Sequence, residues 1–462
     1  MKKYNTFKIL FIALGIMAIL SWIIPGSTIG ETVTTLPRET VGLWDIFQYP
    51  IAVFRYFTPN AIFILVVGGF YGIINETGVY KNILNAIVKK FKNKEKLFLI
   101  ITMILIAIIT SLAGLNIPLI LIFPFIISLL LLMGYDRLTI LVSTVGSFLV
   151  GIIGSTYSNS VNGSINYVLG IDYRAEILSK VFLLLISLLL LVIYVLNNKK
   201  ENAKLLGKKF EDPYYINKKT TNKNIKGLVI VLITVPVIML LSSLNWNSAF
   251  GIRWFEVCYN KIMSFEVFNV KIFSNLLGNM VPFGYWGIIE FTVLLLIASI
   301  TLVLIYKIKT EDALDAFIAG SKKMAPIALI TVLAYIPILI TSYHPYLITV
   351  SNWLLKITPK FNILTFIATT SIGSVLMVDL HEYILSIAPL IKTVVTDTAV
   401  YPVIGFLMQS IYGLVMFAAP TSILLLGGIV YLDIPYKTWL KYIYKLLLQI
   451  LIIIIIMSTI IV

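Results

Sequence analysis

The chain has 462 residues, 59 % of them hydrophobic and 12 % charged, with a mean hydropathy of +0.98. Soluble domains carry roughly one quarter charged residues, so this composition excludes a soluble protein and points to a polytopic membrane protein. The formal net charge of +15 fits Lys-rich cytoplasmic loops rather than nucleic-acid binding, and the single Cys258 excludes an internal disulfide and a Cys-based metal cluster.

MKKYNTFK precedes a long apolar run and reads as the start of an uncleaved first span, residues 8–25, with the N-terminus in the cytoplasm. Residues 26–59, with Trp44, Tyr49 and Tyr56, read as an external segment with interfacial aromatics. Residues 60–76 span back, and Glu76 at the span end is expected at the interface. The Lys-rich stretch 77–96 reads as an amphipathic arm on the cytoplasmic surface. Residues 97–133 are apolar but interrupted by SLAGLNIP at 111–118. Two arms of about 15 residues fall short of the roughly 20 a full span needs. They predict a hairpin that enters and leaves on one side. A broken helix follows over about 138–171, crossing at 138–153 and stopping at GSTYSNSVNGS, 154–164. Residues 175–196 cross back and close a first half, 1–196.

Residues 197–226 are Lys-rich and form a cytoplasmic basic linker. The second half, 227–462, opens with a span at 227–243 and an external aromatic segment at 244–284. A return span covers 286–306, with Glu290 placed early to snorkel or pair. A polar arm at 309–324 begins at Thr310-Glu311-Asp312, a helix-start signal. Residues 325–341 cross outward. Residues 342–361 form a mixed aromatic segment in which His344, before Pro345, reads as structural. A second interrupted hairpin covers about 362–395, and a second broken helix, about 400–430, stops at FAAPTS. Residues 440–462 are the last span.

The spacing carries a repeat. Pro124 and Thr156 are 32 positions apart, as are Pro389 and Thr421, so one offset of 265 relates the two pairs. The same offset carries 60 to 325, both span starts, and 111–117 to 376–382. INYVLGIDYR (165–174) also resembles IVYLDIPYK (429–437). Span parity puts the first hairpin on the cytoplasmic side and the second outside, so the repeats are inverted. The expected fold is an all-α polytopic membrane protein: two inverted repeats with re-entrant hairpins and broken transmembrane helices, the architecture of secondary transporters.

Non-helical backbone at membrane depth survives only where protein or a wet cavity satisfies it. Four such breaks occur, at 111–117, 154–163, 371–382 and 417–422. Ser155, Thr156, Ser158, Asn159, Ser160 and Asn162 form the densest polar set, with Thr421 and Ser422 as repeat mates. A helix resuming after a break offers N–H groups to carboxylates. Open carbonyls at the preceding end can hold Na⁺. The same hydroxyls could instead serve close helix packing. The stretch SIGSVLMVDLHE (371–382) adds Asp379, His381 and Glu382. A charge at membrane depth is tolerated only facing protein or a wet cavity, so the three read as a protonatable hairpin tip. It would couple transport to H⁺ or receive a cationic part of the solute; the competing reading is a surface loop. In an extended tip Asp379 and His381 share a side; in a helix Asp379 and Glu382 meet. No Walker, nucleophile-elbow or HExxH motif occurs, so no enzymatic activity is expected.

The C-terminal run MFAAPTSILLLGGIVYLDIPYKTWLKYIYKLLL (416–448) resembles the closing segment of the YfcC-like and C-type C4-dicarboxylate carriers. TEDALDAFIAGSKKMAPIALITVLA (310–334), VGGFYGIINETG (67–78) and MGYDRLT (133–139) are similar to further segments of that family. The resemblance implies membership of the ion-transporter superfamily, in which a scaffold carries a mobile transport domain. Thr421 and Ser422 match the family's Pro-Thr-Ser break. Ser371 and Ser374 fall where it has a Ser-Gly-Ser-Gly tip. Gly114-Leu115-Asn116 stands where an acidic pair is common, making Asn116 a candidate ligand.

The expectation is a secondary transporter of small carboxylate-bearing solutes, amino acids or C4-dicarboxylates. It would work by H⁺ or Na⁺ symport or by antiport, with elevator-like alternating access. It would be a homodimer in the plasma-membrane bilayer, with no cofactor beyond the coupling ion, no metal centre and no nucleic-acid partner. The alternative is a channel or a non-transporting membrane scaffold. A channel needs a continuous polar stripe along several spans, whereas polarity here is confined to four breaks.

Overall fold

In lipid every backbone polar group must be satisfied internally, and a chain this apolar answers with helices. The computed structural model describes residues 2–114, 117–172, 174–197, 212–214 and 223–462. Among these, nine helices are long and apolar enough to cross a membrane. The sheet is limited to two small antiparallel pairs, Ser27–Ile29 with Val33–Thr35 and Glu266–Val267 with Val270–Lys271. The protein is thus an all-α membrane protein with interrupted helices. The two hairpins are Glu95–Ala113 with Phe123–Leu132, and Ile363–Leu376 with Leu380–Val394. The two broken helices are Arg137–Ile153 resuming at Ser164–Leu169, and Tyr401–Met416 resuming at Ile423–Leu432.

Three local expectations are corrected. The span expected to begin at 60 begins at Leu43 and runs to Glu76. Its kink lies at Phe57, φ −111° and ψ 15°, two residues before Pro59. Proline strips a hydrogen bond from the preceding turn, so the helix bends there and continues. The polar arm 309–324 and the span 325–341 are not separate: one helix runs Thr310–Leu333 through Pro326, and a short helix, Ile336–Tyr343, follows it. Residues 342–361 contain the helix Tyr346–Leu355. Of the basic linker, most lies outside the described residues.

Helix Leu43–Glu76 lies along helix Thr310–Leu333, and glycines set their approach. A Cβ on Gly72 would stand 2.0 Å from the Ala316 carbonyl oxygen, and one on Gly320 would stand 2.1 Å from that of Gly68. Small residues let helix backbones meet where apolar burial gives no advantage over lipid tails. Helix Ile288–Tyr306 flanks this pair, with Lys226–Ser243 beyond it. The hairpins and broken helices form the other side of the molecule, wrapped by Ile177–Asn197 and Tyr436–Ile461. Arg137, 6 % exposed, binds one broken helix to the other: its guanidinium donates to the carbonyls of Leu432 (3.1 Å) and Asp433 (3.0 Å).

Residues Asp212-Pro213-Tyr214 of the linker are built into the fold. Tyr214 is 1 % exposed, and its hydroxyl donates to the Gly320 carbonyl at 3.0 Å. Lys323 donates to the Pro213 carbonyl at 2.6 Å, and the Ser128 hydroxyl donates to the Asp212 carboxylate. The Tyr214 ring lies against Tyr71 and stacks on Tyr431, with centroids 5.4 Å and 6.4 Å away. Burial, with the Asp212 charge adding, pushes the Tyr214 phenol far up, so it stays a donor.

Candidate functional site

Each broken helix is joined to a hairpin by one threonine. In the first half the Thr156 N–H and hydroxyl both donate to the Ser111 carbonyl, at 2.9 Å and 3.2 Å. The Ser111 hydroxyl returns a bond to the Gly154 carbonyl at 2.8 Å. In the second half the Thr421 hydroxyl donates to the Val375 carbonyl at 3.1 Å.

The carbonyls freed by the breaks are met by donors from the protein. The Asn162 amide reaches Ser155 and Thr156 at 3.1 Å and 2.9 Å. The Gln409 amide, from the other half, reaches Ile153 and Ser155 at 3.3 Å and 2.9 Å. In the second break the Trp439 indole donates to the Phe417 carbonyl at 2.7 Å, and the Tyr436 hydroxyl donates to that of Ala418.

The candidate residues therefore divide. Ser155 is buried beside the Ser111 carbonyl, 3.5 Å away. Ser158 caps the resuming turn, accepting from the Val161 N–H at 3.2 Å, and Ser160 donates to the Gly114 carbonyl at 2.9 Å. Ser374 donates back to Thr370 within its own helix at 2.7 Å, Ser371 is half-buried, and Ser422 is 2 % exposed. Asn116 lies outside the described residues, as does the side chain of Asn159. Thr156 and Thr421 each hold a hairpin to a break. Thr156→Val and Thr421→Val should each lower the thermal midpoint of the purified protein, reflecting about 1 kcal/mol per lost bond, with the transport KM moving little. A weakened KM at unchanged thermal stability would assign these hydroxyls to the solute instead.

The cavity lies beside these joints. It has a volume of about 720 Å³ and is lined by the first hairpin tip (Ala113, Gly114, Ile117), the first broken helix (Ile152, Ser160, Ser164, Tyr167), and Asp379 and His381 of the second hairpin. Asn60 and Tyr412 line it from two further helices, Tyr335 from the turn between Thr310–Leu333 and Ile336–Tyr343, and residues 284–288 reach it from the end of the segment expected to be external. The expected side-chain cluster of Asp379, His381 and Glu382 is corrected. Asp379 is the N-cap of helix Leu380–Val394, and its Oδ1 accepts from the N–H groups of His381 (2.9 Å) and Glu382 (3.2 Å). A short acceptor at a helix start satisfies orphan N–H groups, so Oδ1 of Asp379 is committed to backbone. His381 instead pairs through Nδ1 with the Ser164 hydroxyl of the first half, and Glu382 is not among the lining residues.

Sequence reasoning missed Asn60, Ser164, Tyr167, Tyr335 and Tyr412, and also Gln409. Their one signal was polarity or aromaticity inside apolar helices. His344 is structural: its ring nitrogens meet the Tyr49 hydroxyl at 2.7 Å and the Glu39 carbonyl at 2.8 Å. Glu290 pairs with no cation among the described residues; it caps its helix by accepting from the Gly287 N–H at 2.8 Å.

The family model described as DcuC, C4-dicarboxylate anaerobic carrier, matches residues 4–462. No curated protein matches the chain. Among solved structures, the chain is similar to the YdaH transporter of Alcanivorax borkumensis, whose crystal structure is described as revealing an unusual topology. The identity is 11 %, the alignment covers 99 % of this chain and 98 % of that one, and the TM-score is 0.41.

Proposed function

The chain belongs to the C4-dicarboxylate anaerobic carrier family, and on that premise we propose that it moves small carboxylate-bearing solutes through the cavity between its two hairpins, driven by H⁺. It is a multi-pass secondary transporter and not an enzyme. The observation that carries the site is the lining itself: one cavity of about 720 Å³ receives the tips of both hairpins, and its rim holds Asp379 and His381. A site made jointly by two halves is the arrangement alternating access requires, since opening to one side can be exchanged for opening to the other. The like joints of Thr156 to Ser111 and Thr421 to Val375 support reading the halves as inverted repeats. The glycine-packed helix pair would be the scaffold and the hairpin-bearing helices the elevator.

H⁺ is favoured over Na⁺ because carbonyls at both breaks are engaged by Gln409, Asn162, Trp439 and Tyr436. Na⁺ would have to compete with these donors. His381, exposed and lining the cavity, pairs with Ser164 of the first half, which puts an imidazole where the two halves meet. The test is uptake into proteoliposomes under an imposed pH gradient or an imposed Na⁺ gradient. Accumulation should follow the pH gradient and persist when Na⁺ is replaced by choline. His381→Gln should flatten the pH dependence between pH 5.5 and 8 while the protein stays folded. Profiles superimposable on the wild type would remove His381 from coupling.

Span parity orients the molecule with its N-terminus in the cytoplasm and Val462 outside. In a Cys258→Ala background, a cysteine at 462 should react with an impermeant reagent from the external side. Labelling only from the cytoplasmic side would exclude the inverted arrangement.

A further inference from the structure

We infer that the solute this cavity selects carries an ammonium group beside its carboxylate, and that Asp379 holds that ammonium. The inference rests on the cavity being the transport site.

No lysine or arginine is among the residues lining the cavity; its acidic and imidazole side chains are Asp379 and His381. Asp379 has a divided carboxylate. Its Oδ1 is taken by the two backbone N–H groups at the start of helix Leu380–Val394, and no donor among the described residues meets Oδ2. The neighbouring phenols of Tyr335 and Tyr412 are close enough for the Asp379 charge to act on both. Among the described residues, neither donates to the Asp379 carboxylate. Tyr412 donates to the Val378 carbonyl at 2.8 Å, and Tyr335 lines the cavity beside Asn60. The cavity therefore presents a carboxylate oxygen without a built-in cation.

A dicarboxylate dianion would bring two negative charges beside Asp379 with no lysine or arginine to meet them. An amino-bearing carboxylate brings its own cation. Its ammonium has three donors and would bond Oδ2 with the added strength of a charge-assisted pair. The rings of Tyr167, Tyr285 and Trp286 also line the cavity, and aromatic faces attract cations. The carboxylate end would be met by the Ser164 hydroxyl and by His381, which when protonated is a cation with two donors. With Ser164 on the first broken helix and Asp379 on the second hairpin, one solute would touch both halves.

The experiment is counterflow in proteoliposomes with L-aspartate, L-serine, L-ornithine and succinate. At least one amino compound should exchange ten-fold faster than succinate. In Asp379→Asn that preference should collapse to about unity. Asparagine caps a helix start as well as aspartate does, so this variant keeps the fold, which its thermal midpoint checks. Asp379→Glu keeps the charge and should keep the preference for an amino compound. Succinate exchange matching or exceeding that of every amino compound overturns the inference, as does a preference that survives in Asp379→Asn. A separate variant tests the site reading on which this rests. Ser164→Trp fills the cavity and should stop all exchange. Undiminished exchange in it would overturn both readings. Blocked exchange together with a wild-type preference for succinate would overturn the ammonium inference alone.

Discussion

Gly72→Ala should be among the most damaging single-methyl changes in the protein. The added carbon would sit 2.0 Å from the Ala316 carbonyl oxygen and 2.8 Å from its carbon. Both belong to backbone, so no rotamer change relieves the clash, and the two helices must separate. Overpacking typically costs about 1–3 kcal/mol; a backbone obstruction at the centre of this crossing belongs at the upper end. The measurement is the thermal midpoint by fluorescence-detected size-exclusion chromatography, with recovery of monodisperse protein. Two controls separate sterics from helix chemistry. Gly69→Ala meets only the ring of Phe317, at 2.4 Å, and a side chain can move aside; its loss should be smaller. Gly15→Ala meets nothing within 4 Å and should gain stability, since alanine suits a helix interior better by about 1 kcal/mol. Equal behaviour of all three would show that the helices do not cross on these glycines.

Gln409→Leu should have the largest effect on transport among the buried polar residues away from the cavity rim. Gln409 is fully buried, and its amide holds the Ile153 and Ser155 carbonyls across the boundary between the halves. Leucine keeps the bulk and withdraws the donor. Ser155 keeps its bond from Asn162, but the frayed end at Ile153 loses its side-chain donor. An unpaired buried group costs about 1–3 kcal/mol. Ile152 lines the cavity, so relaxation of this helix end moves the cavity wall. Counterflow should fall more than ten-fold, with a smaller loss in thermal midpoint. Normal counterflow in Gln409→Leu would show that the break does not need this amide.

The breaks were legible in the sequence because glycine, serine, threonine, asparagine and proline clustered at membrane depth turn a backbone and satisfy it. SLAGLNIP, GSTYSNSVNGS and FAAPTS mark real helix ends at Ala113, Ile153 and Met416. The partners of those ends were not legible. Gln409 and Tyr412 sit in a helix that reads as apolar, and the carbonyls Gln409 serves are more than 250 positions away. Nothing in the local pattern announces such a bond. The acidic stretch shows the same limit on a finer scale. Asp379 was visible as a charge in an apolar region. Whether its carboxylate would face an imidazole or a helix start depended on two backbone angles, and the extended φ and ψ of −96° and 124° settle it as a cap. Leu43–Phe57 escaped as helix because Trp44 and Phe47 are 80 % and 73 % exposed. Aromatics that face outward carry no core-facing period to detect.

The linker peptide Asp212-Pro213-Tyr214 has a mechanical consequence. Tyr214 and Pro213 are bonded to the helix Thr310–Leu333, while Asp212 is bonded to Ser128 on the first hairpin. A three-residue stretch thus works as a latch between two sets of helices that otherwise meet through side-chain contact. Any sliding of one set past the other must break the bonds on one flank of the latch. Each neutral bond is worth about 0.5–1.5 kcal/mol net, and those to charged groups about 1.5–3, so the latch would oppose such sliding by a few kcal/mol. A connection that reads as a leash would then help set the pace at which the molecule changes state.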